Sequence, residues 1–334
     1  MTRQIYEYHP VTAFRFIPGV KARIPHEGGG YLISANSMGF RCDHDFVPDK
    51  RSGVRVRRAL LFGDSFTAGE GVSNGKRYGD LLEQKITGLE VYNFGLPATG
   101  TDQHYLAYTE YAQGIEHDML IISVFVENIR RVAAHYRLFQ NEKGEDAYYM
   151  KPYFELIDGQ LELKNVPPPK EPVSMEDIPE DERKAVDRGG RFYTLRKIAT
   201  KTGIKDLAQK LSHYQPLPEY NSPDSPAWLL MAAILKEWVR KSPKPVLLTL
   251  IPLYQYIEET SDPSQCQARF QELAERLNCA FHDPLADFVR YPIAQRRGFR
   301  FQKDQHFTKE GHEALADSLA PVVARLLAEG GGNE

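Results

Sequence analysis

Apolar positions along this 334-residue chain fall into short unbroken runs, separated by stretches in which they recur with helical spacing. "RRALLFGDS" is an apolar run that stops at turn residues, the pattern of a buried strand. "YGDLLEQKI" follows with helical spacing, and "LEVYNFGLPATG" is a second strand that runs into a Gly-Pro-Gly loop. "TDQHYLAYTEYAQGI" predicts a helix with Thr101 or Asp102 as its cap. "HDMLIISVFVEN" predicts a third strand, and its continuous apolar character implies burial on both faces. Strand alternating with helix at this pitch predicts a parallel sheet with right-handed crossovers.

From about Arg137 to Ser225 the alternation lapses. "YFELIDGQLEL" predicts a hairpin turning on Asp158-Gly159. "NVPPPKEPVSMEDIPEDE" is rich in prolines and acids and predicts an extended, mobile linker. "GRFYTLRKIATKTGIKDLAQKL" predicts a helix with a basic face that carries Lys197, Lys201 and Lys205. The pattern then resumes with the helix "SPAWLLMAAILKEWVRK", the strand "KPVLLTLIP", the helix "SQCQARFQELAERLN", the strand "CAFHDP" and the helix "TKEGHEALADSLAPVVARLLAEG". The expectation is a three-layer α/β/α sandwich around a five-stranded, mostly parallel sheet. Residues 1–55 form an N-terminal extension packing on the core, 56–136 and 226–328 the α/β domain, 137–225 an insertion, and 329–334 a flexible tail. No repeat of 20–50 residues points to a solenoid.

Composition narrows the classes. Hydrophobic residues at 42% and charged residues at 26% suit a globular protein, and a net charge of -3 gives no general case for nucleic-acid binding. The clusters Arg55, Arg57, Arg58 and Arg296, Arg297, Arg300 read as solvated faces. Cys42, Cys266 and Cys279 match no metal spacing, and an odd, sparse count argues for a reducing compartment. The opening residues lack a secretory h-region, and no apolar run approaches the roughly 20 residues of a membrane span. The expectation is a cytoplasmic protein, with no membrane span and no nucleic-acid partner.

Ligands of an open parallel sheet bind outside the carboxyl ends of its strands. Three such loops carry Gly63-Asp64-Ser65, Asn93-Phe94-Gly95 and Glu127-Asn128, and a fourth polar cluster brings Asp304 and His306 ahead of the last helix. These residue types are the parts of nucleophilic acyl transfer. A serine hydroxyl needs a base, histidine titrates near neutrality, and a carboxylate on the second imidazole nitrogen fixes its tautomer. Asp64 reads as structural, through loop amides. Thr308 reads as a cap for the last helix, and His312 within it as structural. Motifs for a P-loop, a dinucleotide fingerprint, a zinc helix and the α/β-hydrolase elbow are not matched.

Taken together, these blocks resemble the SGNH, or GDSL-like, hydrolase superfamily, whose fold is flavodoxin-like. "GDSFTAGEGV" resembles the first block, with Ser65 at the nucleophile position. "YNFGLPATGTDQ" resembles the second, which implies that the Gly95 amide serves an oxyanion hole with that of Ser65. "DQHFTKEGH" resembles the last, with Asp304 and His306 as acid and base. "ANSMGFR" is similar to a segment that precedes the first strand in many bacterial relatives. The third block departs from the pattern: "VFVENI" offers Glu127 or Asn128 where the family carries an oxyanion asparagine, and we favour Asn128. The resemblance implies a serine-dependent hydrolase of small, acetyl-like acyl esters on a carbohydrate or related metabolite, with no metal or organic cofactor. An O-acyltransferase using the same acyl-enzyme and a non-catalytic binding protein of this fold are the alternatives.

Overall fold

The computed structural model describes residues 4–50, 56–140, 146–180, 182–183 and 215–330. The basic helix expected near Lys197, Lys201 and Lys205, and the tail at 331–334, lie outside the described residues.

Two antiparallel hairpins open the chain. Strands β1 (Tyr6–His9) and β2 (Ala13–Phe16) form one, and β3 (Lys21–Ile24) and β4 (Tyr31–Ser34) the other. Their alternating residues Phe16, Val20, Tyr31 and Ile33 build a small apolar cluster of their own. The expectation for this region gave no strands, because four-residue runs interleaved with charges carry little periodicity.

The main sheet comprises β5 (Arg57–Phe62), β6 (Leu89–Asn93), β7 (Met119–Phe125), β12 (Val246–Ile251) and β13 (Ala280–His282). All of its pairings are parallel, and read across the sheet the strands run in the order β13-β12-β7-β5-β6. β7 and β12 are buried at every position, as continuous apolar runs in the middle of a two-faced sheet must be. Helices cover it in two groups. α2 (Tyr78–Lys85) packs against α7 (Lys309–Gly330), while α3 (Thr101–Ala107), α4 (Asn128–Ala133) and α5 (Pro226–Lys241) pack together, with α6 (Ser264–Leu277) beside α5. Phe62 stacks on Phe94 at 4.6 Å and meets Trp238 edge-on at 5.4 Å. Each such wholly buried aromatic stabilises the fold by roughly 1.5–3 kcal/mol.

Several local expectations need correction. The cap of α3 is Gly100, with Thr101 already in the first turn, and the helix widens into a π-helical turn at Tyr108–Ala112. The insertion has a hairpin that the sequence pattern missed, β8 (Tyr136–Gln140) with β9 (Asp146–Met150). It precedes the expected one, β10 (Tyr153–Ile157) with β11 (Gln160–Lys164), where Asp158 and Gly159 both have positive φ. The proline- and acid-rich segment is anchored rather than loose in its described part. Val173 bridges to Tyr148, Ile178 is fully buried, Glu182 contacts His135, and Tyr8 donates to the Pro168 carbonyl. The arginine clusters are solvated only in part: Arg57 and Arg297 have exposed side chains, Arg55 lies outside the described residues, and the others are paired. Arg58 is buried in a pair with Glu90, Arg296 in one with Glu259, and Arg300 contacts Glu258. No helix among the described residues is long and apolar enough to cross a membrane.

Candidate active site

The carboxyl end of β5 turns sharply through Gly63 and Asp64 into α1 (Ser65–Ala68). A side chain on Gly63 would lie 2.0 Å from Thr67 Oγ1, so only glycine permits the turn. Asp64 caps α1, accepting from the Phe66 amide at 3.1 Å, and its other oxygen accepts from Arg131 Nη1 at 2.8 Å. Full burial raises its pKa, and Arg131 works against that rise. The structural role expected of Asp64 is thus visible as a cap and a buried ion pair. Ser65 opens the helix with 3% of its surface exposed.

His306 reaches this serine from 241 residues away, its Nε2 lying 2.8 Å from Ser65 Oγ. The turn that carries it is closed by a bridge between Arg300 and Phe307 and by the Phe301 amide donating to the His306 carbonyl at 2.8 Å. Phe66 packs against the imidazole with ring centroids 4.9 Å apart. Asp304 closes the turn from inside, its Oδ1 accepting from the His306 backbone amide at 3.0 Å. Its Oδ2 lies 3.6 Å from His306 Nδ1, beyond hydrogen-bond range, and Nδ1 is buried with no partner among the described residues. That oxygen instead accepts from His26 Nε2, in the loop between β3 and β4. The two-residue spacing therefore sets the carboxylate beside the ring, but a second histidine holds it.

Burial disfavours the charged form of His306, but Glu70, Asp304 and Asp64 outweigh it and raise the pKa above 6.5. Glu70 exerts the largest single charge effect, with its Oε2 3.6 Å from His306 Nε2. Burial likewise opposes the charge on Asp304, yet contact with the His306 and His26 imidazoles lowers its pKa to about 2.

The neighbouring strand ends hold the other candidate residues. Gly95 packs so closely on α1 that a Cβ would lie 2.3 Å from the Ala68 nitrogen. Its amide donates to Asn93 Oδ1 at 2.9 Å, while Asn93 Nδ2 donates to the Thr67 carbonyl at 2.9 Å. As the protein stands, the Gly95 N–H is engaged internally, and the glycine serves close packing. Asn128 is fully buried in the first turn of α4, beyond the end of β7, and among the described residues neither of its side-chain amide atoms has a hydrogen-bond partner. Glu127 precedes it and is only partly buried.

The strands of the main sheet, numbered along the chain, run 2-1-3-4-5, the flavodoxin-like order. The serine after the first strand meets the histidine ahead of the last helix. This is the arrangement that the SGNH, or GDSL-like, resemblance implies. Among solved structures, the chain is similar to a member of the lipolytic G-D-S-L family from Veillonella parvula DSM 2008, with 13% identity, TM-score 0.43, and coverage of 81% of this chain and 100% of that one. It is similar to a lipase/acylhydrolase from Enterococcus faecalis, with 14% identity, TM-score 0.44 and coverage of 81% and 96%. It is also similar to an acetyl xylan esterase from Geobacillus stearothermophilus, with 15% identity, TM-score 0.42 and coverage of 80% and 95%. No protein-family model and no curated protein matches the chain.

Several residues near the site escaped the sequence reading. Arg41, from the "ANSMGFR" segment, is buried and donates to the carbonyls of Ala68, Gly69 and Val72 at 2.7–2.8 Å, pinning the chain that leaves α1. Arg131 joins Asp64 to the Thr99 carbonyl. His26 and Glu27 come from the N-terminal extension, and Glu27 accepts from the amides of Lys303 and Asp304. His26, Glu27 and Asp304 place possible metal-ligand atoms within 4.8 Å of one another, although here they satisfy each other or loop amides. Their only sequence signal was a histidine and an acid side by side in a glycine-rich turn.

Proposed function

We propose that this chain is a serine-dependent hydrolase of small acyl esters carried on a carbohydrate or related metabolite. The observation that carries the reading is the 2.8 Å contact between Ser65 Oγ and His306 Nε2, made at the carboxyl end of the first strand of the sheet. In the proposed reaction Ser65 attacks the ester carbonyl as His306 Nε2 takes its proton, and Asp304 stabilises the imidazolium. The Ser65 backbone N–H and the Asn128 side-chain amide donate to the oxyanion; the Gly95 N–H is left out, since Asn93 holds it. His306 returns its proton to the leaving alcohol, and water, activated by the same imidazole, releases the acyl group. The scarcely exposed Ser65, walled by Phe66, favours a small acyl group.

The test is intact-mass analysis after incubation with p-nitrophenyl acetate. A transient acetyl adduct is expected on the wild-type chain and not on Ser65→Ala; an adduct that persists in the variant, or none in either, rejects the reading. A second reading, transfer of the same acyl group to an acceptor hydroxyl, draws on the low exposure of Ser65, which restricts water. Faster decay of the adduct when a sugar alcohol is added would favour transfer.

A further inference from the structure

Cationic side chains on α4 and the segment that follows it are, among the described residues, nearly all matched. Arg131 pairs with Asp64, Arg130 with Glu219, Lys151 with Asp102 in full burial, and His135 with Glu182. Arg137, on β8 of the inserted hairpin, is the exception. Its Nε donates to the Ala98 carbonyl at 3.0 Å, and among the described residues its guanidinium meets no carboxylate within ion-pair distance. The two Nη groups have no acceptor there, and the side chain is only partly buried.

The place of this guanidinium ties it to the site. Ala98 adopts a left-handed backbone, with φ 57°, in the loop between β6 and α3. The next carbonyl along, that of Thr99, accepts from Arg131 Nη1 at 3.0 Å, and the same nitrogen donates to Asp64 Oδ2 at 2.8 Å. Two arginines thus sit on consecutive carbonyls, and one of them is bonded to the residue immediately before Ser65. Burial and then the Arg131 charge lower the Arg137 pKa to about 9, with Glu127, Asp102 and Asp64 offsetting part of this. The guanidinium remains a cation at neutral pH, in surroundings that under-compensate its charge.

We infer that Arg137 is a recognition site for a carboxylate on the acceptor portion of the ester, a reading that rests on the proposed acyl-ester chemistry. The Nε bond to Ala98 fixes the plane of the fork and leaves the two Nη groups to face an oxyanion, the geometry in which arginine grips a carboxylate. One open guanidinium matches one negative charge. Arg131 and Lys151 are committed to Asp64 and Asp102, and Glu127 lies in the same field, so a phosphate dianion would have an unmatched charge. Because the side chain comes from the insertion rather than the sheet, it addresses the alcohol part of the substrate, while the acyl group lies at Ser65. The substrate class is therefore an acylated sugar acid rather than a neutral acylated sugar.

Calorimetric titration of the full chain with methyl glucuronoside, methyl glucoside, glucose 6-sulfate and glucose 6-phosphate tests this directly. The uronate is expected to bind at least about 10-fold tighter than the neutral glucoside. Arg137→Gln is expected to weaken uronate binding by about 10- to 100-fold, the range of a charge-assisted hydrogen-bonded pair. Arg137→Lys, which keeps the charge and loses the fork, recovers only part. Equal or absent binding of uronate and glucoside by the wild type overturns the proposal. So does tighter binding of the sulfate or phosphate, or a uronate preference that survives in Arg137→Gln. None of these titrations requires Ser65 to react. The acetyl adduct measured on the same preparation therefore reports separately whether the acyl-ester reading stands.

Discussion

Asp304 is shared by two imidazoles: His26, 278 residues earlier, bonds its Oδ2, and His306 Nδ1 lies 3.6 Å from the same oxygen. Each hydrogen bond to a carboxylate draws on its charge, so His26 weakens the field that Asp304 exerts on His306. Replacing His26 by Ala is expected to leave that oxygen to His306 alone and to raise the His306 pKa further. The acid limb of kcat/KM against pH then moves upward. A variant that loses stability without moving the limb would assign His26 to hairpin packing only.

Glu70→Gln is expected to move the same limb the other way. His306 must be neutral to accept the Ser65 proton, so activity falls as pH drops through its folded pKa, which lies above 6.5. Glu70 is the largest single charge behind that rise, and its removal extends activity to lower pH. The stability linkage has a matching sign. A raised histidine pKa stabilises the fold fully below the unfolded value, and this contribution is lost as pH rises through the folded value. Urea midpoints for wild type and Glu70→Gln should therefore differ more at pH 5.5 than at pH 8.5. An unchanged limb in Glu70→Gln would show that its carboxylate is screened from the ring.

The contrast between these residues shows what a single sequence makes legible. The sheet could be read because β7 and β12 are apolar at nearly every position, as is β5 after its two arginines, and two-sided burial leaves that imprint. Ser65 and His306 could be paired because both lie in polar interruptions at element boundaries. His26 and Arg137 could not, since each reaches the site through contacts between segments whose association no periodicity encodes. The Gly95 amide shows the reverse limit: the motif identified a glycine, but its bond to Asn93 depends on packing against α1. The "ANSMGFR" segment was recognised only as a string; its physical content is Arg41.

Arg41→Met is expected to destabilise the chain by at least about 3 kcal/mol, because it strands three buried carbonyls that cost roughly 1–3 kcal/mol each when unpaired. Gly69, whose carbonyl is one of the three that accept from Arg41, is also the left-handed cap of α1, so the loss spreads to the turn that follows Ser65. Denaturant titration measures the change. A loss below about 1 kcal/mol would mean that water replaces the guanidinium.

Asn128 separates stability from activity most cleanly. Both of its amide atoms are buried without a partner, an arrangement that costs the folded protein roughly 1–3 kcal/mol and persists where a site needs the group. Asn128→Ala removes the unpaired atoms along with the donor proposed for the oxyanion. Thermal stability should therefore hold or rise, whereas kcat on p-nitrophenyl acetate should fall about 100- to 1,000-fold with KM nearly unchanged. A structural asparagine would behave in the opposite way, with the melting temperature falling and kcat retained. Glu127→Gln supplies the control for the third-block register. If Glu127 rather than Asn128 faced the developing charge, removing its carboxylate would raise kcat, and the assignment of Asn128 would fall.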